Sequence, residues 1–238
     1  MTGRALLLAL LLAGAAACGD DESLIGTAPI DAGPVDAGGA GGGPVDAGGA
    51  GGAPASPLYG KVIINEVLID GLAEGDPNGD GDANAVDDQF VELVNVDSEP
   101  VALNGCTLVE VDLPALPRHT FAPTTVPAGH ALVIFGGGDA PPATETAAFL
   151  SANAADPGIP FGLHLTTPAD SLTLLDPDGL VVARFCYGGS DDCSQPAVSD
   201  ESLTRSPELT GDFVPHTDVT GPGGAAFSPG TRADGTPF

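Results

Sequence analysis

Tryptophan is absent from this 238-residue chain, methionine occurs once, and aromatic residues make up only 5%. Basic residues are also scarce: 6 Lys and Arg stand against 33 Asp and Glu, for a formal charge of −27. A protein that grips a phosphate backbone needs clustered Lys and Arg to displace counterions, so this balance argues against nucleic-acid binding. With so few aromatic rings there is no stacking platform for single strands either. Catalytic signatures are missing too. The chain holds no G-x-S-x-G, no H-E-x-x-H, no P-loop and no dinucleotide-binding glycine fingerprint. No window of ten or more residues shows a helical period with caps, apart from a weak one over 143–155. What is abundant is punctuation: 35 Gly and 23 Pro, nearly a quarter of the chain.

The N-terminus reads as an export address. Arg4 gives a short positive region and Ala5 to Ala13 form an apolar stretch too short to span a bilayer stably. It ends in Ala15-Ala16-Ala17-Cys18. Small residues leading into a cysteine resemble the bacterial lipobox, although the usual Leu three positions before the cysteine is Ala15 here. The resemblance implies that residues 1–17 are a signal peptide and that Cys18 is acylated and becomes the N-terminus. A single acyl chain binds marginally, at about 0.8 kcal/mol per methylene, whereas two or three anchor firmly. Gly19 stands where inner-membrane lipoproteins of enteric bacteria carry a retaining Asp, so the expected location is the outer membrane or cell surface. The alternative is an ordinary secretory signal with a chance cysteine.

Residues 18–57 then read as a disordered tether. The decapeptide from Gly33 to Gly42 recurs unchanged from Gly43 to Gly52. Gly/Ala/Pro sequence of this kind cannot bury enough apolar surface to offset its ordering entropy. A coil of this length has a root-mean-square span of roughly 30–35 Å.

From Leu58 onward the pattern changes to short β signals between turn clusters. Val62 to Ile69 is an apolar run, and Phe90 to Val96 and Cys106 to Val111 alternate at period two. Further runs are Ala131 to Phe135, Ser171 to Leu175 and Leu180 to Phe185, the last two joined by the turn Asp176-Pro177-Asp178-Gly179. Many short strands at this spacing predict an all-β, antiparallel sandwich or barrel over 58–210. An irregular strap is expected over 211–238, which Phe227 and Phe238 could pin down.

Six pieces in order carry a family resemblance. They are Ile64-Asn65-Glu66-Val67; Gln89 to Asn95; Val101 to Leu108; Val126-Pro127-Ala128-Gly129; Asp170 to Gly179; and Glu201 to Arg205. Together they resemble the lamin tail domain, found in nuclear lamins and in many secreted bacterial proteins. The resemblance implies an immunoglobulin-like β-sandwich. The family usually keeps a Trp where this chain has Cys106, so a smaller side chain must be accommodated in the core. Glu66 and Glu92 fall at family positions that read as sheet architecture rather than as an acid/base pair. The fold names no activity, because such a domain is used for docking as often as for anything else.

Two local patterns carry possible chemistry. Asp76 to Asp87 fits D-x-[DN]-x-[DN]-G-x5-[DE], the spacing of a calcium loop. Asp76, Asn78 and Asp80 would supply side-chain oxygens, Asp82 its carbonyl, Asn84 a direct or water-mediated contact, and Asp87 the closing carboxylate. Residues 70–99 hold ten carboxylates and no base, so a Ca2+ ion there would relieve repulsion. The same residues also favour a plain turn. Cys186 and Cys193, seven apart across a flexible loop, are expected to form a disulfide, leaving Cys106 as a buried thiol. A metal site is the rival, but His119, His130, His164 and His216 have no ligand spacing to one another or to the cysteines. Asp170, Ser171 and His164 could be imagined as a triad, yet alternation sends neighbouring side chains at a strand start to opposite faces.

These features predict a membrane-tethered, non-catalytic binding or scaffolding module of the bacterial envelope. Its partners would be the bilayer, through the acylated N-terminus, and an envelope protein or polysaccharide. The alternative is an accessory subunit or degenerate relative of a secreted hydrolase of nuclease or phosphatase type.

Overall fold

The computed structural model describes residues 55–70, 75–110, 116–154, 162–189, 193 and 195–238. The signal segment, Cys18 and the repeated decapeptides lie outside the described residues. The described chain is nearly all β. It runs β1 (Val62–Leu68), β2 (Phe90–Asn95), β3 (Val101–Ala102), β4 (Thr107–Glu110), β5 (His119–Thr120) and β6 (Thr125–Val126). It continues with β7 (Ala131–Phe135), β8 (Ala147–Ser151), β9 (Asp170–Leu175), β10 (Val181–Tyr187), β11 (Leu203–Ser206) and β12 (Asp212–Pro215), and then one helical turn, α1 (His216–Thr220).

The strands form an immunoglobulin-like β-sandwich. A six-stranded sheet in the order β12-β11-β1-β2-β7-β8 faces a four-stranded sheet in the order β10-β9-β4-β5, and β3 pairs with β6. The pairings are antiparallel except β7 with β8, which run parallel from Ala131↔Ala147 to Phe135↔Ser151. The weak helical period over 143–155 is thus overruled. Ala147–Ser151 is a strand, because β7 offers an open sheet edge and tertiary pairing outweighs a marginal propensity. The turn expected at 176–179 is present: Gly179 adopts φ 79° and its N–H donates to the Asp176 carbonyl. The Cys186–Cys193 disulfide forms as expected, with Cα atoms 5.7 Å apart, and Cys106 is a buried free thiol.

Both faces of the six-stranded sheet are covered. On the inner face Ile64, Val91, Leu93, Leu132 and Ile134 join Leu108, Leu172, Leu174 and Phe185 of the second sheet in one core. On the outer face Leu68, Phe90, Val133 and Phe135 form a second cluster completed by Phe149 and Phe227. Val94, Ala131 and Ala147 form a third, completed in part by Phe238. The segment after β12 therefore lies across the outer face and is held there by the two phenylalanines singled out in the sequence. The first residues of the expected strap also add a sheet edge, since β12 pairs with β11 from Leu203↔Pro215 to Ser206↔Asp212.

Gly230 marks the closest approach of this strap to the sheet. Its φ is +81°, and a Cβ built there would sit 2.5 Å from the Phe149 ring. Overpacking and a left-handed backbone act together at that position. Gly230→Ala should lower unfolding stability by about 2–4 kcal/mol, read from urea midpoints at constant m. Removing the disulfide by Cys193→Ser releases a small loop and should cost less, about 2 kcal/mol.

Candidate functional site

Two carboxylates sit side by side beneath the strap. Glu66 on β1 is the register partner of Glu92 on β2, and both are fully buried. Alternation along β2 puts Glu92 on the same outer face as Phe90 and Val94. The register slips between Ile64 and Glu66, so Asn65 occupies a bulge. There its amide donates to Glu92 Oε1 at 2.9 Å and to Glu208 Oε1 at 2.7 Å.

Each of these carboxylates takes a backbone N–H from the strap. Ser228 N donates to Glu66 Oε1 at 2.8 Å, Gly230 N to Glu92 Oε2 at 2.7 Å, and Ala233 N to Glu208 Oε2 at 3.1 Å. Glu66 also accepts from Ser202 Oγ at 2.6 Å and Ser228 Oγ at 2.7 Å. His216 completes the chain: Nε2 is 2.9 Å from Ser228 Oγ and Nδ1 is 2.8 Å from the Ala225 carbonyl. A carbonyl can only accept, so Nδ1 carries a proton. The ring stands 3.9 Å from Glu66.

Serine, histidine and glutamate thus meet, but not as a nucleophile triad. The carboxylate lies on the serine side, and the far nitrogen of His216 faces a carbonyl instead of an orienting acid. The arrangement clamps the strap. Burial pushes the Glu66 carboxyl up, opposed in part by His216 and by hydrogen bonds from Ser202 and Ser228. Glu92 is pushed up further, first by burial and then by the neighbouring Glu66 charge.

A second buried polar cluster lies at the end of the four-stranded sheet. Arg118 is buried, donates from Nε to the Gly162 carbonyl at 3.0 Å, and is attracted by Glu110 and Asp170. Tyr187 donates its hydroxyl to the Thr166 carbonyl at 2.7 Å. The imagined Asp170–Ser171–His164 grouping is not assembled. Asp170 accepts from the Thr166 and Ser171 backbone, whereas His164, at φ 56°, faces Glu110 at 3.9 Å.

The acidic loop precedes β2. Asp76 Oδ1 accepts from Gly79 N and Asp80 N, and its Oδ2 from Gly81 N. Asn78 Oδ1 accepts from Asp80 N, Asp80 Oδ1 from Asp82 N, and Asn84 Oδ1 from Val86 N and Asp87 N. Asp82 is exposed. The Asp87 carboxylate lies against Gly137, where a Cβ would collide with it. Among the described residues no group of three or more His, Cys, Asp or Glu is placed to hold a metal ion. Asp88, next to the expected closing residue, is fully buried, and its Oδ2 accepts from Asn84 N at 2.7 Å. The spacing rule passed over Asp88, and also over Ser228, Glu208 and His216. Only tertiary contact brings these together, and no local pattern announces them.

Taken together the fold and these sites define a β-sandwich whose interior ionisable groups hold its own chain in place. Residues 55–189 match the lamin tail domain family, more than half the chain, and the chain belongs to that family. Among curated proteins no match to it is found. The match ends before β11, so Ser202, Glu208, His216, Ser228 and Gly230 are supplied from beyond it.

The buried carboxylates give the fold a pH signature. A carboxyl raised above its ordinary 4.5 contributes stability that is fully present below that pH and is lost as pH rises through the raised value. Wild-type unfolding stability should therefore fall as pH rises above the ordinary carboxyl range, the direction set by both upward shifts. Glu92→Gln should flatten that fall in urea titrations across a pH series. An unchanged slope would show that Glu92 does not contribute to it.

Proposed function

We propose that this protein is a lipid-anchored, non-catalytic binding or scaffolding module of a bacterial cell envelope. The observation that carries the reading is the use made of the buried acid, base and hydroxyl groups. Glu66, Glu92, Ser228 and His216 are spent on one another and on strap N–H groups, and the carboxylate that meets Ser228 and the carbonyl that meets His216 Nδ1 do not form a nucleophile triad. A sandwich pinned on both sheet faces presents a rigid surface, which suits docking. Its acidic character, 27 Asp and Glu against 5 Lys and Arg from Leu58 onward, suits a soluble head that carries no nucleic acid. The lipobox-like run to Cys18 and the repeated Gly/Ala/Pro segment support an acylated anchor and a leash. The partner is an envelope protein or polysaccharide.

Mass spectrometry of membrane fractions should recover an acylated peptide beginning at Cys18, and Cys18→Ala should release the protein to the soluble fraction. A mature form cut elsewhere and free of lipid contradicts the anchor. Cross-linked pull-down from native envelope tests the module itself. Recovery of one stoichiometric secreted hydrolase would favour the accessory-subunit reading, while a structural envelope component favours scaffolding.

A further inference from the structure

The turn that leads into β7 is closed by a histidine whose two ring nitrogens both face backbone carbonyls. His130 Nδ1 lies 3.0 Å from the Ala128 oxygen, and Nε2 lies 3.0 Å from the Glu145 oxygen. A carbonyl oxygen has no proton to give, so both contacts are hydrogen bonds only when both nitrogens carry hydrogen. A neutral imidazole has a single N–H, and either tautomer sets a ring lone pair against one of the carbonyls. His130 differs in this from His216, whose Nε2 meets a hydroxyl.

The two carbonyls belong to different parts of the chain. Ala128 sits in the turn between β6 and β7, where His130 N donates to the Pro127 carbonyl at 3.2 Å. Glu145 sits in the approach to β8, beside the turn in which Thr144 N donates to the Ala147 carbonyl at 2.8 Å. The ring thus ties the start of β7 to the start of β8, where Ala131 N donates to the Thr146 carbonyl at 2.9 Å. β8 is the outermost strand of the larger sheet and pairs with β7. Its far end is held without an ionisable side chain, by Ala152 N on the Phe135 carbonyl at 2.8 Å and by the Asn153 amide on the Thr120 backbone.

We propose that His130 is an acid-held latch on this edge strand: as a cation it bridges the Ala128 and Glu145 carbonyls, and as a neutral ring it holds only one of them, so the entry to β8 loosens. Imidazole loses its charge between about pH 5 and pH 8, so the latch is closed in mildly acidic surroundings and slackens as pH rises. Besides His130, the cavity between the two segments is lined by one ionisable residue, Glu145. After β2 come Asp97, paired with Lys61 at 3.6 Å, and Glu99. On the outer face Phe238 packs against Ala131 and Ala147 and carries Arg232 over its ring, a group that keeps its charge throughout. From β5, His119 meets the Ser151 backbone and is held down to about 4 by burial, so it stays neutral across this range. Glu92, opposite Val133 of β7, acts on the stability of the whole sheet. The inference does not depend on the scaffolding reading, since the latch acts within the fold whatever the module docks to.

The test is native-state hydrogen exchange on the full chain at pH 5 and pH 8, each amide corrected for its intrinsic rate. The Ala131 amide reports the latch. The Phe121 amide, bonded to the Cys106 carbonyl at 3.0 Å, reports the sandwich as a whole and subtracts the effect of Glu92. In wild type the protection of Ala131 relative to Phe121 should fall about two- to tenfold from pH 5 to pH 8, the net worth of one hydrogen bond. His130→Phe keeps a ring without donors and should abolish this relative fall. His130→Gln has no charge to lose, should abolish it too, and keeps the test open if His130→Phe does not fold. Glu145→Gln should retain the fall, because the partner is the Glu145 backbone and not its carboxylate. Equal losses at Ala131 and Phe121 in wild type overturn the proposal. So does a relative fall that persists in either His130 variant or disappears in Glu145→Gln.

Discussion

The structure turns on two carboxylates placed opposite each other on adjacent strands, out of reach of water. Like charges at register partners repel, and a buried carboxylate is tolerated only when hydrogen-bonded or paired. Glu66 and Glu92 meet that demand with groups from far along the chain: Ser202, Ser228, Gly230 and the imidazole of His216. The demand explains why the polypeptide doubles back after β12 and why its path is so specific. Backbone N–H groups at 228, 230 and 233 each meet one carboxylate, and Phe227 fills the apolar cluster beside them. The outer face of the six-stranded sheet becomes a second interior.

The acidic loop meets the same kind of constraint differently. Its exposed carboxylates cap backbone N–H groups in tight turns, where water screens them. Only Asp88 goes inside, and there the protein supplies one oxygen with a donor and not the other. One buried acid of this chain, Glu66, is thus clamped by His216 and the strap, while Asp88 is held by the Asn84 N–H at the foot of the acidic loop. Both sit on strands or turns flanking β2, one of the two central strands of the larger sheet.

Much of the sandwich was legible because period-two alternation and turn chemistry act locally. The runs at Val62, Phe90, Ala131 and Ser171 form strands, and the Asp176–Gly179 turn has the geometry its residues require. Short strands such as β3, β5 and β6 left no trace, since two residues cannot display a period. At Ala147–Ser151 an alanine-rich stretch resembled a helix until the edge of β7 decided the matter. The pairing of Cys186 with Cys193 could be read because the loop between them is short. The clamp could not be read at all. Nothing near Ser228 or His216 signals Glu66 as their shared partner, because Glu66 lies on β1, 162 residues from the serine and far along the chain from α1, where His216 sits. Spacing singled out Asp87, whereas burial, which spacing cannot show, falls on Asp88 beside it.

If the buried carboxylates hold the strap as an integral layer, the amide hydrogens of Ser228 and Gly230 open only when the whole sandwich does. Native-state hydrogen exchange on the full chain measures this directly. The account predicts that these two amides exchange with the same free energy as the central amides of β2 and β7, near the global unfolding value. Exchange at the rate of exposed loops, with β2 still protected, would mean the strap frays independently and the carboxylates are satisfied without it.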